Sequence, residues 1–99
     1  MINNSINIEK LYIESSNINL KSIKNIKELI IIDCDTLDIN DIKYNNLEKL
    51  TVLNTNIINS TSLRNLNCKI EIIGWKLDNK EIIKELSNIT YNPQEYIKN

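Results

Sequence analysis

Residues 47–57 read LEKLTVLNTNI, with apolar side chains at Leu47, Leu50, Val52 and Ile57 and a small polar one at Thr55. The order is L-x-x-L-x-L-x-x-(N/C/T)-x-L; its alternating start is that of a short strand, and a sharp turn comes after the strand. The same frame lies on residues 8–18 (IEKLYIESSNI) and on 26–37 (IKELIIIDCDTL, one residue longer at its end). It lies less well on 67–77 (NCKIEIIGWKL), where Asn67 stands at the first apolar position. From Leu11 to Leu29, Leu50 and Ile70 the copies recur after 18, 21 and 20 residues. Four copies in a chain of 99 residues make the repeat the architecture.

This motif resembles the leucine-rich repeat, over about residues 8–77. The resemblance implies an α/β fold, a short leucine-rich-repeat solenoid with a parallel sheet on its concave side. It also implies a role in binding other proteins. With so little chain between strands, the returns are expected to be irregular, 3₁₀ or one to two helical turns. Residues 38–45, with Ile39 and Ile42 inward, and 61–66, with Leu63 and Leu66 inward, fit that expectation.

The 99 residues read as one domain: an N-terminal cap over 1–9, repeats over 10–77 and a helical cap over 78–99. Strand one is expected at Lys10–Glu14 with Leu11 and Ile13 inward, and Ile18, Leu20 and Ile23 then turn the chain beneath the core. In the last segment Asp78 or Asn79 is a candidate N-cap, and Ile82, Ile83, Leu86 and Ile89 share one face of a helix reaching about residue 88. Asn92-Pro93 stops it and leaves Tyr96 and Ile97 for packing. A cap is the favoured reading of this C-terminal helix, with an amphipathic segment for a partner or a membrane as its alternative. Trp75 stands where the frame expects a small residue, so it closes the stack beneath the cap or else projects as a binding anchor.

The chain has no histidine, which removes the commonest general base and transition-metal ligand. Cys34 and Cys68 therefore lack the partner a cysteine nucleophile usually needs. Both are expected to be reduced and inert. Cys34 takes the ninth position of its repeat, matched by Ser16, Thr55 and Trp75, where the leucine-rich repeat places a residue that bonds the turn backbone. Asp33, Asp35, Asp38 and Asp41 do not have the spacing of a calcium loop and read as turn and cap residues. The single glycine, Gly74, excludes a Gly-rich phosphate loop. The expectation is a chain that is not an enzyme and carries no cofactor or metal.

Twelve Lys and Arg against 13 Asp and Glu, mixed along the chain, give a net charge of -1 without the basic stripe of a nucleic-acid binder. No stretch approaches the roughly 20 apolar residues of a membrane span, and the start lacks the apolar run of a secretion signal. No nucleic-acid or membrane partner is expected, and the location is expected to be cytoplasmic. The wealth of Ile, Asn and Lys is that of an AT-rich genome, such as a virus, a phage or a low-GC microbe, and a viral origin would place the protein in the host cytoplasm.

In the family, outward side chains of the strands form the concave surface, and the frame sets them in three columns. The first runs Lys10, Glu28, Lys49, Lys69; the second Tyr12, Ile30, Thr51, Glu71; the third Glu14, Ile32, Leu53, Ile73. Ile30, Ile32, Leu53 and Ile73 make an apolar patch on a face that should alternate to polar, which marks an interface. The expected binding site is Tyr12, Ile30, Ile32, Lys49, Leu53, Lys69, Glu71 and Ile73. The expected partner is a larger protein that this small inhibitor or adaptor would occupy. The alternatives are terminal segments folded over the patch, or a self-associating subunit that forms a homodimer through the same face.

Overall fold

The computed structural model describes residues 9–15, 20, 25–42, 46–74 and 77–94. Among these residues there are seven strands: β1 (Lys10–Glu14), β2 (Glu28–Ile32), β3 (Thr36–Asp38), β4 (Lys49–Leu53), β5 (Asn56–Ile58), β6 (Lys69–Ile73) and β7 (Ile89–Asn92). The fold is mixed α/β, with mostly parallel sheet and little helix. β1, β2, β4, β6 and β7 form one parallel sheet in that order, and β3 pairs in parallel with β5 in a second.

Successive strands pair in the register the repeat frame requires: Leu11 faces Leu29, Leu29 faces Leu50 and Leu50 faces Ile70. A one-residue slip between neighbouring strands would turn core residues such as Leu50, Val52, Ile70 and Ile72 to the other face, bringing Lys49, Thr51, Lys69 and Glu71 inward, so the pattern of these strands fixes the register. On the inner face Leu29, Ile31, Leu50, Val52, Ile70 and Ile72 are at most 2% exposed. The last apolar positions of the second, third and fourth copies come together in and beside the second sheet, where Leu37 pairs with Ile57 and Ile57 bridges to Leu77, all three buried. Between the sheets run the 3₁₀ helices Ile39–Asp41 and Ser60–Asn65, which bury Ile39 and Leu63. Ile42 and Leu66 are buried with them.

Each strand from β1 to β6 in the larger sheet ends in one left-handed residue: Ser15 (φ 52°), Asp33 (φ 53°), Asn54 (φ 50°) and Gly74 (φ 79°). Glycine adopts this conformation freely, and Asp and Asn visit it more readily than other residues. The turns stack, because each of these N–H groups donates to the carbonyl ending the next strand: Ser15 to Ile32, Asp33 to Leu53, Asn54 to Ile73 and Gly74 to Asn92.

The C-terminal segment differs from the sequence expectation. Its helix, α1, spans only Glu81–Glu85, and Leu86 already has extended backbone. Ile89, expected on the apolar face of the helix, opens β7. Without β7, the N–H and C=O groups of β6 along that edge would lack partners, and pairing satisfies them. Ile70 N–H donates to Asn88 O, and the Asn88 amide in turn donates to Cys68 O at 2.6 Å. Locally the run Ile89-Thr90-Tyr91 is β-branched and aromatic, which suits a strand better than a helix end. Neither expected residue is the N-cap, which is Lys80 without a side-chain cap bond: Asn79 Oδ1 accepts from Glu81 N–H, while Asp78 turns to Ser60. The expectations for the 1–8 lead-in, Ser16, Ile18, Ile23, Trp75, Tyr96 and Ile97 lie outside the described residues.

Candidate functional site

The outer face of the five-stranded sheet carries the three expected columns. Lys10, Glu28, Lys49 and Lys69 are register partners; so are Tyr12, Ile30, Thr51 and Glu71, and so are Glu14, Ile32, Leu53 and Ile73. β7 extends the second column with Thr90 and the third with Asn92.

Accessibility divides the expected site. Tyr12 is 49% exposed and its hydroxyl donates to Glu14 Oε1 at 2.8 Å, which holds the ring's polar tip on the face. Lys49 and Lys69 are exposed, whereas Ile30, Glu71 and Ile73 are half-buried. Ile32 and Leu53 depart from expectation. They are 4% and 6% exposed although they point away from the main core and are not part of its cluster. Leu53 stands between Ile32 and Ile73 at one strand spacing on either side, so the three aliphatic chains shield one another. The apolar column is therefore closed at its centre, and the open part of the face is Tyr12, Ile30 and Ile73 with the charged first column.

Lys49, Lys69 and Glu71 come together with Ser87, Asn88 and Thr90 around a shallow cleft of about 320 Å³ beside β7. The last three were missed from sequence because a helix was expected there. The frame itself contains the signal: Leu86, Ile89 and Tyr91 follow Asn67, Ile70 and Ile72 at 19 residues, which is the start of a fifth copy. All three are half-buried against the core.

Cys34, Asp33 and Asp38 serve the turns. Cys34 Sγ donates to Ile32 O at 3.5 Å, its N–H donates to Thr55 Oγ1, and the Thr55 hydroxyl donates to Leu53 O. Both cysteines are free thiols, and burial pushes the Cys68 thiol up from its ordinary pKa. Asp33 accepts from the Asn54 amide, and Asp38 accepts from Asn40 N–H and the Asn59 amide. Among the described residues no three His, Cys, Asp or Glu side chains come together as metal ligands. No helix among them is long and apolar enough to cross a membrane.

No family model, no curated protein and no solved structure matches this chain.

Proposed function

We propose that this chain is a short leucine-rich-repeat-like solenoid that binds a larger protein through the outer, concave face of its parallel sheet, as an inhibitor or adaptor. Support comes from the repeat motif together with the in-register strands that it predicts. The observation that carries the reading is the exposure of Tyr12, at 49%, on the same face as half-buried Ile30 and Ile73 and the exposed Lys49 and Lys69. An amphipathic ring beside aliphatic side chains, rimmed by charge, has the composition of an interface centre and its border.

The energetics bound the mode of binding. Full burial of an exposed aliphatic side chain contributes about 1.5–3 kcal/mol, and Ile30 and Ile73 are already half-buried. Association itself costs an estimated 4–15 kcal/mol, so these two with Tyr12 support only weak binding and the polar border must contribute. Closure of the same face by a second copy is the alternative. Size-exclusion with light scattering tests it: a monomer supports a foreign partner, and a dimer lost on Ile30→Asp supports self-association.

A further inference from the structure

We infer that the cleft at Lys49 and Lys69 receives an acidic segment of the bound protein, an inference that rests on the outer face being the interaction surface. Lys49 and Lys69 are direct register partners on β4 and β6, about 4.8 Å apart at the backbone, and both are exposed. Like charges directly opposite one another across a sheet destabilise it. Among the described residues neither lysine has an ion pair; the pair present is Arg64 with Glu85. Glu28 flanks Lys49 on its other side and Glu71 follows Lys69 by two residues, yet neither closes a pair with a lysine.

A chain with 13 acidic residues sets two lysines side by side where one carboxylate would remove the repulsion. Local inconsistencies of this kind concentrate at functional positions. The surroundings supply the rest of a receptor for carboxylates. Ser87 and Thr90 line the same cleft with hydroxyl donors, and about 320 Å³ is room for an acidic side chain with its backbone. Glu71 on the rim opposes a continuous polyphosphate and suits a peptide, in which N–H groups alternate with acidic side chains. The segment expected is therefore acidic protein, not nucleic acid.

An amide-resolved NMR titration of the full chain with a hexaglutamate peptide at low salt tests this, with hexaglutamine and a thymidine hexanucleotide as controls. The expected result is saturable shifts centred on Lys49, Lys69, Glu71, Ser87 and Thr90. Affinity should fall at least tenfold in Lys49→Ala/Lys69→Ala and be kept in Lys49→Arg/Lys69→Arg, with the thermal midpoint unchanged in the arginine variant and not lowered in the alanine variant, where the repulsion is relieved. Shifts spread equally over Lys10, Lys27 and Lys80, an affinity indifferent to the double alanine change, or equal binding of the oligonucleotide would overturn the inference. Should hexaglutamate fail while Tyr12→Ala/Ile30→Asp still abolishes capture of a protein partner, the acidic chemistry is wrong and the interaction surface stands.

Discussion

The amide oxygen of Asn54 occupies the space that a Cβ on Gly74 would fill, and Gly74 itself is left-handed at φ 79°. Two neighbouring turns thus meet at a point where a side chain on residue 74 would have to displace the Asn54 amide. Gly74→Ala is expected to cost about 1–3 kcal/mol in urea unfolding, from left-handed strain and the collision together. In an Asn54→Gly background the collision disappears, so the two changes should couple by about 0.5 kcal/mol or more. Strict additivity would show that the turns are independent.

Asp78 ties the C-terminal segment to the second 3₁₀ helix. Its carboxylate accepts from the N–H groups of Asn59 and Ser60 and from the Ser60 hydroxyl, and Ser60 is fully buried. This is an N-cap supplied from a distant part of the chain, and Asp78→Ala should cost about 1–2 kcal/mol. Burial pushes the carboxyl up, but the bonds from Ser60, Asn59 and Asn79 outweigh it and hold its pKa below the ordinary 3.8. A carboxylate with a depressed folded pKa adds stability that is present above the unfolded value and lost as pH falls through the folded one. Wild type should therefore lose this increment progressively below about pH 4, in unfolding curves measured from pH 6 downward. In Asp78→Asn that part of the acid dependence should be absent; identical pH profiles would show that the bonds do not form in solution.

Removal of residues 78–99 takes away α1 and β7, and with them Ile82, which is 1% exposed. That side chain alone contributes about 1.5–3 kcal/mol, and the edge of β6 loses its backbone partners. A 1–77 fragment is expected to aggregate or to melt without cooperativity in circular dichroism. A soluble fragment with a sharp transition would make the C-terminal segment an appendage.

The repeat strands were legible because period-2 alternation of Ile and Leu admits one register. Leu29, Leu50 and Ile70 align where the frame sets them, and Cys34 and Thr55 take the turn positions expected of them. β7 was obscured because Ile82, Ile83, Leu86 and Ile89 also satisfy a helical spacing. The demand of β6 for backbone partners decided between the two, and that demand is not local to the sequence. Closure of the third column was hidden for a related reason. Alternation says which way Ile32 and Leu53 point, but their 4% and 6% exposure depends on neighbours that the pattern does not name.

The thiols offer a direct check on the packing. Cys68 is 7% exposed with its pKa raised by burial, whereas Cys34 is half-buried. Because the thiolate is the reactive form, a thiol reagent at pH 8 should label Cys34 first and Cys68 only with unfolding. Intact mass without reductant should equal that of two free thiols; a loss of two hydrogens would mean a disulfide and a different arrangement.

On the outer face, closed and open positions stand in neighbouring columns. Ile32→Glu and Leu53→Lys bury charge at closed positions and should lower the thermal midpoint sharply. Tyr12→Ala with Ile30→Asp alters the open part and should cost about 1 kcal/mol, well short of the loss at the closed positions. The deciding measurement is affinity capture from lysate of the source organism or its host, comparing wild type with Tyr12→Ala/Ile30→Asp, both held below their midpoints. A protein retained by wild type and lost from the variant is the expected outcome. Equal retention by both would mean that the outer face of the sheet is not the interaction surface.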